Sequence, residues 1–368
     1  MTPLGRLLAR MIAEHGPVPL DRYLTLAMLH PEHGYYATRD PLGAAGDFTT
    51  APEISQIFGE LLGALLAQAL LDRGPPERAL LVELGPGRGT LLSDAWRAIG
   101  VLGRVRARLA VHLVEPSPAL RAVQASRLTA LRPQFHDTLE SVPGDAPLLL
   151  IGNEVLDVLP VRQLVRQGGA WRERLVGCDA EGRLGLVPAG TASPLAGFLP
   201  APIRDAPEGS VHEIAPAREA LVDAIARRIA RDGGVALLID YGDLSAGPTG
   251  DTLQAVARHR RTDPFLAPGE ADLTTRVDFA PLLRAARVAG AAVAGPVTQA
   301  ALLAALGIRE RLAALVERAG PAQAEALRAG VARLVDPAGM GGDFKAIALH
   351  RAGEPPPPGF TTASGERG

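Results

Sequence analysis

Short apolar runs alternate with helical periodicity through the middle of the chain, and that alternation predicts the architecture. Residues 80–82, 110–114, 147–151 and 235–240 are compact apolar runs ended by polar or glycine-rich turns, the signature of buried strands. Helical spacing fills the intervals after Thr90, over 117–128 and over 217–231. Strands that alternate with helices imply parallel βαβ units with right-handed crossovers. A third strand is expected to end near His136-Asp137, and residues 344–350 can form a last one.

The flanking stretches differ. Residues 1–72 read as mainly helical, interrupted by an irregular glycine-rich section over 31–52. Thr50-Ala51-Pro52-Glu53 has the form of a capping box with proline in the first turn. After it Ile54, Ile57, Phe58, Leu61, Leu62 and Leu65 recur at helical spacing, so a helix is expected over 52–71, stopped by Gly74-Pro75-Pro76. Residues 162–210 alternate apolar and polar positions around Gly168-Gly169 and Glu181-Gly182, which predicts a hairpin-like insertion. An irregular piece over 250–272 leads into helices up to about 334, and the Pro/Gly-rich stretch 351–368 is expected to be a disordered tail. The expected organisation is therefore a helical extension with a lid segment (1–75), an α/β domain (76–350) with insertions near 162–210 and 250–334, and the tail.

Composition narrows the function classes. With 368 residues, 47% hydrophobic content and a net charge of −2, the chain can bury a large core and lacks the basic excess of a general nucleic-acid binder. Cys178 is the only cysteine, which excludes an intramolecular disulfide and a cysteine-cluster metal site and fits a reducing compartment. Lys345 stands alone against 37 arginines, amid heavy Ala, Gly and Pro usage, a pattern of GC-rich bacterial coding. The longest apolar stretch, 61–71, is broken by Gly63 and Gln68 and is too short to span a bilayer. No signal-peptide order opens the sequence. The expected setting is a bacterial cytoplasm, with no membrane span and no nucleic acid; a homodimer is compatible with these features. His30-Pro31-Glu32-His33 matches metal-ligand spacing only loosely, and no metal is expected.

The chemistry concentrates at strand ends. Glu83-Leu84-Gly85-Pro86-Gly87-Arg88-Gly89-Thr90 lies between the first buried run and the following helix. Glycines there let the backbone turn tightly and approach a ligand, with amide N–H groups of the helix start facing it. A dinucleotide fingerprint would need glycine at Thr90. The spacing G-x-G-x-G, with Glu83 two positions before Gly85, is the S-adenosylmethionine (SAM) version. Glu115 ends the second strand, where a carboxylate can accept both ribose hydroxyls. Glu83, Gly85, Pro86, Gly87, Gly89 and Glu115 are thus candidate cofactor contacts, joined by Asp137 for the adenine and by Asn153 at the next strand end. Glu154 and Asp157 follow on that edge, where ligands of open sheets bind. Helix capping is the structural alternative for Asn153 and Asp157, and the capping box for Glu53.

These motifs resemble the MidA-type methyltransferases, which include the mitochondrial complex I assembly methyltransferase. The resemblance runs from about Pro17 to Leu349 through Gly34-Tyr35-Tyr36, residues 46–55, Phe58-Gly59-Glu60 and the glycine loop. It continues through Glu115-Pro116-Ser117, Asn153-Glu154 with Asp157-Val158-Leu159-Pro160, Asp240-Tyr241-Gly242, Gly250-Asp251-Thr252 and Phe344-Lys345. It implies a Rossmann-like seven-stranded SAM-methyltransferase sheet with added helical parts, and a protein substrate methylated on arginine. One departure is Val155-Leu156, where the family often carries aromatics. An arginine acceptor stays protonated near neutral pH and needs carboxylates to hold it; Glu154, Asp157 and Asp47 are the candidates, with Glu53 beside them. Asp240, His212, Glu213 and His259 could border an acceptor cleft. A small-molecule methyltransferase and a SAM-binding assembly factor without turnover remain the alternatives.

Overall fold

A computed structural model describes residues 1–38, 49–74, 76–257 and 259–360. The chain divides into two compact units, each assembled from separate segments. One comprises Met1–Phe48, Asp157–Ala220 and Asp243–Ala280; the other comprises Thr49–Leu156, Leu221–Gly242 and Pro281–Gly368. The first 75 residues are thus shared between the units, and the 162–210 insertion belongs wholly to the first.

The second unit is built on strands β1 (Ala79–Leu84), β2 (Leu109–Val114), β3 (Gln134–His136), β4 (Leu148–Asn153), β5 (Gly234–Asp243), β6 (Ala291–Thr298) and β7 (Phe344–Arg351). They form the continuous path β6-β7-β5-β4-β1-β2-β3 within an eight-stranded sheet. β1, β2, β3, β4 and β5 are mutually parallel where they pair, whereas β7 runs antiparallel to both β5 and β6. This is the α/β architecture expected from the alternation. β1 is buried along its whole length, as a central parallel strand covered on both faces must be.

Two helical expectations need correction. The helix read over 52–71 is broken: α1 (Ala51–Ile54) and α2 (Gln56–Asp72) are separated by Ser55, whose extended backbone (φ −155°, ψ 131°) caps α2 through its side chain. Apolar periodicity runs through the break because both pieces face the same core. The second correction is β6, which lies inside a stretch read as helical. Its sequence, Ala-Ala-Val-Ala-Gly-Pro-Val-Thr, carries few β-branched residues, and its register with β7 shifts between Ala294 and Val297. Pairing at the sheet margin tolerates such a proline and bulge.

α2 is apolar nearly all round, and it packs on α3 (Thr90–Val101) closely enough to need glycine. A Cβ on Gly63 would sit 2.5 Å from the Ala95 carbonyl oxygen, and one on Gly59 would sit 2.8 Å from that of Leu91. The stretch past Arg351 is tied down as far as Phe360. Arg73 Nε donates to Glu354 at 2.7 Å, its Nη2 donates to the Pro355 carbonyl at 2.7 Å, and Phe360 joins the core.

In the first unit the expected hairpin forms. Strands Arg162–Gln167 and Ala170–Cys178 pair across Gly168-Gly169, both at positive φ, and Ala170–Cys178 pairs again with Leu184–Pro188. The piece read as irregular over 250–272 instead contributes to a three-stranded antiparallel sheet of Gln254–Ala257, Arg260–Thr262 and Asp272–Thr274. These strands are too short for alternation to stand out. Among the described residues no helix is long and apolar enough to cross a membrane, and no cluster of three or more His, Cys, Asp or Glu could hold a metal.

His112, fully buried on β2, places Nδ1 2.9 Å from His136 Nε2, and His136 Nδ1 in turn lies 3.2 Å from Ser141 Oγ. Burial, with His136, Arg78 and Arg228 adding to it, pushes the pKa of His112 down to about 4. An unfolded histidine titrates near ~6.5, so between these values only the unfolded state takes up the proton. The corresponding stability is present above pH ~6.5 and is lost as pH falls, by up to about 3 kcal/mol at the lower limit. His112→Leu should therefore lose less stability than the parent between pH 7 and 4 in urea titrations. Parallel losses in the two proteins would show that His112 does not carry the effect.

Candidate functional site

The sheet order reverses between β1 and β4, and the loops that leave those two strands define the site. Leu84 pairs with Gly152 and with Val114, and Val114 pairs with His136. The residues that follow, 85–89, 115, 137 and 153–154, therefore emerge along one carboxyl-terminal edge. Ligands of open α/β sheets bind at such a reversal.

Each glycine of the first loop has a conformational reason. Gly85, Gly87 and Gly89 hold φ of 56°, 53° and 76°, a region that side chains with a Cβ adopt only at a cost. Gly89 caps α3 in the left-handed conformation, and a Cβ there would meet Leu128 at 2.9 Å. The turn closes through Gly89 N donating to the Pro86 carbonyl at 2.7 Å, with Gly85 N on the Val114 carbonyl at 3.0 Å.

Two carboxylates back this loop. Glu83 is buried at the end of β1, and burial, reinforced by the charge of Glu115 and opposed by the Leu92 N–H, holds its pKa well above the usual carboxylate range. Its Oε2 is buried with no hydrogen-bond partner. Glu115 is also buried; its Oε1 accepts from Ser117 N at 2.8 Å and its Oε2 from Gln124 Nε2 at 3.2 Å. Burial raises its pKa against those hydrogen bonds and the nearby Arg121. Gln124 was not legible in the sequence. It lies inside the amphipathic pattern of α4 (Pro118–Arg127), where one buried polar position looks like any other.

At the end of β4, Glu154 is one of three described non-glycine residues at positive φ (54°). Such strain persists only where the surroundings impose it, and it clusters at functional sites. Here Glu154 N donates to the Ile239 carbonyl at 2.9 Å, while its Oε1 accepts from Asn153 Nδ2 at 2.9 Å and from Ala51 N at 3.4 Å. Asn153 Oδ1 is buried without a hydrogen-bond partner. Glu83, Gln124 and Asn153 thus each keep a buried acceptor atom without a hydrogen-bond partner, an uncommon state for buried polar groups.

The remaining candidates separate. Glu53 does not close a capping box: the Thr50 side chain makes no cap hydrogen bond, and the Glu53 carboxylate accepts instead from the Thr90 hydroxyl. Asp240 is fully buried, its two oxygens accepting from Leu156 N at 2.8 Å and Tyr241 N at 2.9 Å. Asp137 is exposed and paired with Arg121 at 2.6 Å. In the first unit, Asp157 is buried; its carbonyl accepts from Thr275 N at 3.0 Å and from Arg218, and its charge contributes to raising the Tyr36 pKa after burial and Asp272. Glu213 there is buried against Gln163 and Thr252, and burial lowers the pKa of its neighbour His212. Asp47 lies outside the described residues.

The chain matches a protein-family model over residues 61–297, described as "Putative S-adenosyl-L-methionine-dependent methyltransferase". It is similar to mitochondrial protein arginine methyltransferases. The NDUFAF7 homologue of Drosophila melanogaster is 35% identical over 94% of this chain and 84% of its own. Homo sapiens NDUFAF7 is 35% identical over 95% and 83%. Among solved structures, a Burkholderia thailandensis protein crystallised with S-adenosyl-homocysteine superimposes with a TM-score of 0.81 at 32% identity, over 98% of this chain and 93% of that one.

The Glu53–Thr90 bond is testable by a double-mutant cycle. Glu53→Ala and Thr90→Ala should each cost about 1 kcal/mol in denaturant unfolding, and the double variant little more than either. Additive losses would mean the two side chains do not interact, and coupling to Thr50→Ala instead would restore the capping box.

Proposed function

The chain belongs to the family of S-adenosyl-L-methionine-dependent methyltransferases, and from that premise we propose that it methylates arginine in a protein substrate, with the β1 and β4 loops as its cofactor and acceptor groups. When bound, SAM supplies an activated methyl group, and in-line transfer asks the protein chiefly for orientation and a matched electrostatic environment. Glu115 is assigned to the ribose hydroxyls, and residues 85–89, including Pro86, to the methionine and ribose portions. Glu83 and Asn153 are assigned to polar groups of the cofactor, and Asp137 to the adenine edge. The observation that supports this most is the set of buried, unsatisfied acceptors on Glu83 and Asn153 flanking a loop of three left-handed glycines.

For the acceptor, Glu154 is the chief assignment. Its oxygen is oriented by the Asn153 amide and its backbone is held in the left-handed region. A carboxylate so fixed can take a guanidinium by charge-assisted hydrogen bonds and localise its charge away from the attacking nitrogen. Asp157 and Asp47 are proposed for the same work from their places in the sequence. The arginine reading leans on the relatives' names, which identify mitochondrial protein arginine methyltransferases. A subunit like those of respiratory complex I is the proposed acceptor. The single cysteine and the arginine-rich, lysine-poor composition support a bacterial cytoplasmic setting.

The decisive assay incubates the protein with methyl-labelled SAM and host extract. Label recovered as methylarginine from a protein band supports the proposal; label confined to small molecules, or binding without transfer, replaces it with one of the alternatives. Gly87→Val should abolish SAM binding in titration calorimetry, because a Cβ at φ 53° costs about 1–2 kcal/mol before any clash with the ligand. Retained affinity would remove the loop from the site. Glu154→Gln should leave SAM affinity within about threefold while lowering transfer by about a hundredfold; near-normal turnover would make Glu154 a structural residue.

A further inference from the structure

The buried network behind the glycine loop assigns a role to Gln124 that neither its sequence context nor the comparisons suggest. Its amide Nε2 donates to two acceptors, the Gly87 carbonyl at 2.7 Å and Glu115 Oε2 at 3.2 Å. Both partners only accept, so the amide nitrogen, and not the oxygen, must face them. The side chain is completely buried, and its Oε1 has no hydrogen-bond partner within the protein. A glutamine inside a helix face that otherwise packs apolar groups is costly unless its amide is used. Here one amide group joins the middle glycine of the loop to the carboxylate at the end of the neighbouring strand.

We propose that Gln124 is a positioning residue for the cofactor, acting through Glu115 and Gly87 rather than by touching the reacting atoms. The inference rests on Glu115 receiving the ribose. Glu115 Oε1 is oriented by Ser117 N, and Oε2 is oriented by Gln124. With both oxygens fixed from behind, the remaining lone pairs present one geometry to a pair of hydroxyls. The same amide fixes the direction of the Gly87 carbonyl, and with it the peptide plane of a residue at φ 53° that has no side chain to hold it. Without Gln124, the buried Glu115 carboxylate keeps the Ser117 amide as a partner and loses its second restraint. Ligand binding then has to order it.

The test separates this role from general destabilisation by asking for the ribose specifically. S-adenosyl-homocysteine and its 2′-deoxy and 3′-deoxy forms are titrated calorimetrically into the parent, Gln124→Met, Gln124→Leu and Glu115→Gln proteins, each checked for folding by circular dichroism. In the parent, removing a ribose hydroxyl should weaken binding by about tenfold or more. In Gln124→Met the natural ligand should bind about tenfold more weakly, and the deoxy penalty should shrink to about threefold or less. KM for SAM should rise while kcat at saturation changes little. If Gln124→Met does not fold, Gln124→Leu, which keeps most of the volume and supplies no donor, should show the same reduced penalty. A full deoxy penalty in a folded Gln124 variant overturns the proposal. A full penalty in Glu115→Gln overturns the assignment of the ribose to Glu115 instead, a result that the Gln124 variants by themselves would not produce.

Discussion

Leu84 of β1 pairs in parallel with Gly152 of β4 and, on its other side, with Val114 of β2. Everything at the candidate site follows from that register. A parallel strand releases its chain at the same edge as its neighbours, so the glycine loop, Glu115 and the Asn153-Glu154 pair leave the sheet together although 68 residues of sequence lie between Gly85 and Glu154. A slip of one residue would turn Glu83 to the opposite face and bring its neighbours' apolar side chains toward the loop. The uninterrupted burial of β1 is what forbids such a slip, since every position on both faces is already packed.

The acidic groups gathered at this edge are held in different ways. Glu83 and Glu115 are buried beside one another, and burial and mutual repulsion raise the cost of charge on Glu83. Glu115 offsets its own cost with the Ser117 and Gln124 hydrogen bonds, while Glu83 keeps one oxygen unsatisfied. Glu154 takes the opposite course: it is half-buried and hydrogen-bonded, and its strain is stored in the backbone. α1 links these parts, because its first amide meets Glu154 and its Glu53 carboxylate meets Thr90 at the start of α3. A four-residue helix seated on the core through Ala51 and Ile54 thereby spans the loops of β1 and β4.

Residues whose chemistry is local were the ones legible in the sequence. The apolar runs of β1, β2, β4 and β5 and the spacing of Gly85, Gly87 and Gly89 each express a requirement satisfied within a few neighbours, so a linear reading finds them. β6 escaped because its residues have weak strand preference and become a strand only by pairing with β7. The capping-box pattern at Thr50–Glu53 is satisfied in form, while the Glu53 carboxylate bonds a residue 37 positions away. Gln124 carried no local signal at all, since its two partners come from other strand ends.

The sequence by itself determined the class of sheet, the glycine loop proposed for the cofactor and the acidic residue at the neighbouring strand end. These depend on backbone conformations and burial patterns that short stretches of chain impose on themselves. Only the tertiary structure decided which polar groups meet. The left-handed turn at Glu154, the Glu53–Thr90 contact and the Gln124 bridge all arise because parallel register carries distant residues to one edge, and hydrogen bonds across such distances have no signature in the order of residues along the chain.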